Sequence, residues 1–404
     1  MPSQTKQKIF LFATIIAYCL IGIEIIIMIS PFALYFYSVY GPILQFISEH
    51  PAISWTTEFF LPHMVFVDDP LILGISYLQI FLVIGLLLFF SAAVPLYYGR
   101  VTKRGVVRTS FYSKIRHPQY LFLGISGFGL LLYWPRFIIL IMYVTMLFVY
   151  YILARNEERR MNAECPGNYE TYMKNTPMFL PGEPGGKIYT ILFGRIKPKW
   201  LGIAMAYVVT LVISLLVAVG IRDYTISQLP VVETRTLTLL PVFPRPRAEV
   251  AELYEKLVSS QEVQPYLDEM KPDLAYIFPG DYFLTAIVID EERRFSQNMK
   301  ERFPEILEWH QHKFRGGLGK FFRIFYNYIS MLGSVETNYD VERIVLVQVR
   351  DYKNNPVDQK DIFKMGVKRK AVLIVDIDSH DKKVVSVMKA SGSHKWGSMP
   401  MPTF

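Results

Sequence analysis

Apolar residues gather into long runs in the first half of the chain and into short segments in the second. Residues 9–30 are apolar apart from Glu24 and close at Pro31. Residues 70–94 carry no charge. Two further runs, 119–133 and 137–154, are parted only by Trp134-Pro135-Arg136, and a last charge-free run covers 200–221. A helix of about 20 apolar residues crosses the hydrocarbon of a bilayer, so the pattern predicts about five spans. The third run is short and fits a tilted, kinked or incomplete span. The fourth is predicted to continue as a helix past Arg155 to Glu164, where Pro166-Gly167 stops it. Glu24, near mid-membrane, is predicted to face the bundle interior, protonated or hydrogen-bonded.

After residue 224 the pattern changes. A Pro-rich connection, LPVFPRPRAEV, leads into segments of β-branched character at 231–242, 282–290, 341–349, 371–378 and 383–387. Residues 248–260 read as an amphipathic helix, and the aromatic-rich 318–332 reads as another. The predicted fold is therefore a multi-span α-helical membrane domain, residues 1–222, followed by an α+β extramembrane domain, residues 223–404.

Composition agrees with this division. The chain is 52% hydrophobic with mean hydropathy +0.26. Its net charge of +8 comes without a nucleic-acid fold signature, so no nucleic-acid partner is expected. The charges are distributed by side. Lys6 and Lys8 precede the first run, and residues 31–69 contain no Lys or Arg. Residues 97–116 carry six basic residues and no acidic one, and residues 155–199 carry eight basic against five acidic. Basic loops lie on the cytoplasmic side. The N-terminus is thus expected inside, 31–69 outside, 95–118 and 155–199 inside, and the C-terminal domain outside. The first run lacks a small-residue cleavage site, so it reads as a retained span. Cys19 and Cys165 are the two cysteines, and neither falls after residue 224.

Candidate chemistry sits where a basic loop meets the third run. Pro118 biases His117 towards extended geometry and suits the first turn of a helix. Tyr112, Arg116, His117 and Tyr120 supply donors and rings there, and Glu157-Glu158 stands where the fourth run leaves the membrane on the same face. Such elements would form a polar pocket beneath an apolar roof, suited to a polar cofactor and a greasy acceptor. Ordinary interfacial residues and a solvated helix end are the plain alternative.

The segment RGVVRTSFYSKIRHPQYLFLG, residues 104–124, resembles the cofactor segment of the isoprenylcysteine carboxyl methyltransferase and phospholipid methyltransferase superfamily. The matching pattern is Tyr112, then His117-Pro118-Gln119-Tyr120, Glu157-Glu158, Tyr169-Glu170-Thr171-Tyr172, Thr176-Pro177 and Leu180-Pro181-Gly182. The match covers about residues 95–182. It implies an integral membrane methyltransferase that uses S-adenosyl-L-methionine on a membrane lipid or lipid-like acceptor. By position it implies cofactor contacts from the loop Arg104, Gly105, Val106 and Val107, and from Tyr112, Arg116, His117, Pro118, Gln119 and Tyr120. Glu157 is the implied acidic contact, with Glu158 beside it. Where the prenylcysteine branch has a substrate-binding arginine, this chain has Leu153, and the nearest arginine is Arg155. A lipid amine or another apolar acceptor therefore stands beside a prenylcysteine as the expected substrate.

Two other readings stay open: a sterol-type double-bond reductase using a nicotinamide cofactor, and a non-catalytic anchor carrying an outer binding domain. The stretch Gly182-Glu183-Pro184-Gly185-Gly186-Lys187 lacks the Ser/Thr of a phosphate loop and reads as a turn. Gly316-Gly317-Leu318-Gly319 reads as a helix-initiating loop. His310 with His312, and Asp376, Asp378, His380 and Asp381, are weak metal candidates without a third convergent ligand.

Overall fold

The computed structural model describes residues 46–47, 50–63, 65–101, 110–164, 167–279 and 341–390. The expected first span with Glu24, the loop Arg104 to Val107, the segments 282–290 and 318–332, His310, His312 and Gly316–Gly319 lie outside the described residues. Among the described residues the chain divides into two compact units, one running from Thr56 to Leu229 and the other taking in residues 46–55 with the chain from Pro230 onward.

The first unit is helical. Asp69 caps helix α1 (Pro70–Tyr77), its carboxylate accepting from Leu71 N and Ile72 N at 3.0 Å each, with Pro70 in the first turn. A 3-10 turn, Leu78–Ile80, joins α1 to α2 (Phe81–Val101). Pro118 starts α3 (Pro118–Tyr133), and α4 (Phe137–Glu164) follows after the expected tight turn. Two short helices come next, α5 (Asn168–Asn175) and α6 (Pro184–Phe193), and then the long α7 (Lys199–Ser227). Three stretches among the described residues are long and apolar enough to cross a membrane: Pro70–Pro95, Phe137–Glu164 and Lys199–Ser227. Helix α3 has 16 residues, about 24 Å of rise, short of a hydrocarbon core of about 30 Å.

The last charge-free run, 200–221, lies within α7, which continues past it to Ser227 because the polar residues of its last turns have partners. Buried Arg222 binds Glu58 Oε2 at 3.4 Å and the Phe59 carbonyl, and Tyr224 Oη donates to Asp69 Oδ2 at 2.8 Å. The stretch at 182–187 was expected as a turn, but Pro184 occupies the first helical position and opens α6.

Arg136, from the α3–α4 turn, is 1% exposed. It donates to the Thr57 carbonyl, and its guanidinium lies 4.1 Å from the centre of the Phe59 ring. Backbone bonds Phe60 N to Pro135 O (2.9 Å) and Phe137 N to Glu58 O (3.1 Å) close the same end of the helices.

Helices α2 and α3 meet backbone to backbone. A Cβ added at Gly85 would lie 2.4 Å from Ser126 N, and one at Gly129 would lie 2.0 Å from Leu82 N. Ser126 Oγ donates to the Leu82 carbonyl across the same seam at 3.1 Å. Small residues are what allow apolar helices to approach this closely.

The second unit is a six-stranded mixed sheet: β1 (Val232–Glu233), β2 (Thr238–Pro241), β3 (Leu274–Pro279), β4 (Val341–Arg350), β5 (Lys368–Asp378) and β6 (Val384–Lys389), paired in chain order. All neighbours are antiparallel except β2 and β3. That parallel pair is connected through α8 (Arg247–Ser259) and α9 (Gln264–Met270), as parallel strands require a crossover. Val250, Leu253 and Leu257 of α8 pack against Leu239, Ala275, Ile277, Ile344, Leu346, Leu373 and Val375 of the sheet. Residues 231–242, expected as one strand, form two. Between them the Thr234 hydroxyl accepts from Leu237 N (3.1 Å) and donates to the Leu237 carbonyl (2.7 Å), making a turn. Among the described residues, Asp376, Asp378, His380 and Asp381 are not grouped to hold a metal. Asp376 takes Arg343 in a fork at 2.7 and 2.9 Å, while Asp378 accepts from His380 N and Asp381 N.

The seam makes a sharp prediction about stability. Gly129→Ala should cost about 3 kcal/mol or more, since backbone atoms of α2 must move to admit the methyl. Gly74→Ala, whose Cβ meets nothing within 4 Å, should be neutral or stabilising by up to about 1 kcal/mol. Thermal unfolding of both variants of the detergent-purified chain measures the contrast.

Candidate functional site

The start of α3, the end of α4 and the segment from α5 to α6 meet in one cluster. Arg116 N donates to the Pro177 carbonyl at 2.9 Å, and His117 N to the Met178 carbonyl at 3.1 Å. The chain just before α3 is therefore laddered to residues 177–178, which fixes the directions of both side chains.

Arg116 is the centre. Its Nε meets Glu158 Oε1 at 2.6 Å. Its Nη1 donates to the carbonyls of Met173 (2.7 Å) and Thr176 (2.5 Å), and its Nη2 lies 3.8 Å from Glu183 Oε1. Glu183 also accepts from Met178 N at 2.7 Å. The guanidinium is thus spent on internal partners, and its side chain is only 9% exposed.

His117 stands between the two glutamates, with Nε2 3.3 Å from Glu158 Oε1 and Nδ1 3.5 Å from Glu157 Oε2. Burial pulls its pKa down, but the hydrogen bonds and charges of Glu157 and Glu158 outweigh that and raise it above the ordinary imidazole value. Tyr120 Oη donates to Glu157 Oε1 at 2.7 Å, and its ring stacks between His117 and Tyr150, with centroids at 5.8 and 5.1 Å.

Successive residues on a helix point about 100° apart. The adjacent glutamates therefore differ: Glu158 turns inward at 11% side-chain exposure, whereas Glu157 keeps 33% and stands at the rim. Tyr112 Oη donates to Gln119 Oε1 at 3.0 Å, and Tyr172 Oη donates to the Tyr112 carbonyl at 2.5 Å. Tyr169, on the same face of α5 as Tyr172, is pushed up to about 12 by burial and by the charge of Glu158.

Of the sequence-predicted residues, Tyr112, Arg116, His117, Pro118, Gln119, Tyr120, Glu157 and Glu158 come together here. Arg155 does not: it is exposed on α4, two residues before Glu157 and so on the opposite side of the helix from it. Glu183 was missed as a member of the cluster. Its signal was available, as an acidic residue beside a helix-starting Pro in an otherwise basic stretch.

Comparison with family models, curated proteins and solved structures returned no match. The geometry therefore stands as the functional evidence: a charged, ring-lined cluster built at one end of apolar helices. Among the described residues, no three His, Cys, Asp or Glu side chains are grouped to hold a metal.

The raised pKa of His117 sets a pH dependence. A raised folded value means the imidazolium pairing contributes fully below the unfolded value of about 6.5 and is lost as pH rises through the folded value. The melting temperature of the full chain should fall across that window, and His117→Gln should remove this step of the profile. Arg116→Leu should cost about 3–5 kcal/mol at any pH in the window, because it strands Glu158 in a buried position.

Proposed function

We propose that this chain is an integral membrane group-transfer enzyme whose site sits where apolar helices end and basic loops begin. More particularly, it is an S-adenosylmethionine-dependent methyltransferase resembling the isoprenylcysteine carboxyl and phospholipid methyltransferases, acting on a lipid or other apolar acceptor. The observation that carries this reading is the bond from Tyr120 to Glu157, with His117 between the glutamates. It joins the His-Pro-x-Tyr and Glu-Glu elements of the resemblance, 37 residues apart in the chain. In this reading the chain has about five spans, with the N-terminus and site cytoplasmic and the C-terminal domain extracytoplasmic.

The residues suit the amino-acid end of such a cofactor. Half-exposed Glu157 offers a carboxylate for an ammonium or ribose hydroxyl, and the imidazolium of His117 offers the complementary charge for a carboxylate. Charge-assisted bonds of this kind are the stronger class. Arg116, with its donors engaged internally, is a positioning residue: it holds Glu158, and Glu158 holds His117. Tyr112 and Gln119 brace the same segment, and the loop Arg104 to Val107 completes the proposed contacts.

The cofactor, when bound, supplies an activated methyl group. The chain's part is to hold the two reactants in line and to keep water away, and it needs no nucleophile of its own. Leu153, half-buried on α4, provides apolar surface where the prenylcysteine branch has a charge. This supports an acceptor without a carboxylate, such as a lipid amine.

Glu157→Ala should lower S-adenosylmethionine affinity by about 10- to 100-fold, the worth of one bond to a charged partner, in a variant that still unfolds cooperatively and loses only the stability of its bonds to Tyr120 and His117. Calorimetric titration of the detergent-purified full chain measures this. Unchanged affinity in the folded variant would remove Glu157 from the site. Saturable binding of a nicotinamide cofactor in its place would favour the reductase reading. Radiolabelled methyl transfer into a lipid extract then identifies the acceptor.

A further inference from the structure

Among the described residues, helix α6 reaches the cluster through Glu183, the residue that precedes it. Along its length, Ile188, Ile191 and Leu192 form one face at the i, i+3, i+4 spacing and are 57%, 79% and 62% exposed. Tyr189 and Phe193 are half-buried by contrast. Tyr189 packs on the first turn of α7, where a Cβ added at Gly202 would meet its hydroxyl at 2.7 Å. Helix α6 is thereby moored at the level where the apolar stretch of α7 begins.

The residues around this mooring are of one sign. Lys187, Arg195, Lys197 and Lys199 are all exposed, and residues 184–200 contain no acidic side chain. Trp200, at the start of α7, is 68% exposed. An apolar face, flanking cations and a tryptophan at the mouth of a long apolar helix are the parts of an element that lies in a bilayer surface.

We infer that α6 lies along the bilayer–water boundary and binds anionic lipid. Ile188, Ile191 and Leu192 rest among the acyl chains near the headgroups. Lys187, Arg195, Lys197 and Lys199 meet the anionic headgroups, their stems lying along the apolar surface and their charged ends in the headgroup layer. Glu183 sits immediately before α6 and holds Met178 N while facing Arg116. Lipid that fixes α6 therefore also fixes the carboxylate closing the Arg116 cluster.

The test uses the full chain in lipid nanodiscs, made of phosphatidylcholine alone or with one-third phosphatidylglycerol. A spin label is placed at Ile191→Cys, with Cys19→Ser and Cys165→Ser. Its collisions with oxygen should exceed those with a water-soluble nickel chelate, whereas a label at the exposed Lys174→Cys on α5 should show the reverse. A label at 191 that behaves like the one at 174 overturns the placement. In the same nanodiscs, the preference of bound lipid for phosphatidylglycerol over phosphatidylcholine is read by native mass spectrometry. Each single Lys→Gln change at 187, 197 or 199 should lower it by up to about fivefold, and the matching Lys→Arg change should keep it. A preference unmoved by all three Gln variants overturns the anionic-lipid assignment. Neither measurement involves the methyl-donor cofactor, so its result is independent of the proposed activity.

Discussion

The ion pair of Arg116 with Glu158, 2.6 Å apart and largely shielded from water, is the interaction on which this end of the helical unit depends. A charge removed from water must be paired and its remaining donors satisfied, or the cost is several kcal/mol. Arg116 meets that demand with one carboxylate, two carbonyls and a second acidic residue nearby. These partners come from α4, from α5 and its C-terminal turn, and from the residue before α6. One guanidinium therefore gathers segments separated by up to 67 residues.

The opposite end of α3 follows the same rule with different residues. Arg136, Arg222 and Glu58 are buried, the Thr57 carbonyl accepts from Arg136 Nη1, and Arg222 reaches the Phe59 carbonyl and Glu58. Between these two polar ends, α2 and α3 approach through Gly85 and Gly129 until their backbones touch. Short as it is, α3 buries Phe122, Leu123, Leu131 and Leu132 along its length. That packing and the charged anchors at both ends hold the helix in place, with His117 at the first of these ends.

This arrangement divides labour between adjacent glutamates. Glu158 is drawn inward by Arg116 and His117, and Glu157 is left at the rim with Tyr120. The ladder of residues 116–117 on 177–178 keeps the His-Pro turn from shifting, so the ring of His117 is presented in one direction.

The apolar runs 70–94, 119–133, 137–154 and 200–221, the break at Trp134-Pro135-Arg136 and the run-on of α4 to Glu164 were legible in the sequence, because hydrophobic length and helix-breaking residues act locally. So were the strands β4 to β6, with their β-branched composition. Strand β3 was not: LAYIFP is a short apolar run, buried from Leu274 to Phe278, and such a run carries no alternation to mark it. That Tyr112, Arg116, His117 and Tyr120 would share one end of the helices with Glu157 and Glu158 was also legible, from their places beside the apolar runs. Which glutamate would be buried, that Arg116 would spend its donors internally, that Glu183 would join the cluster and that Arg155 would stay apart were not. The sequence by itself determined where the apolar runs lie and which polar residues flank them, since those depend on neighbours along the chain. Only the tertiary structure decided which charges pair, because pairing depends on helix rotation and on segments brought together from far apart.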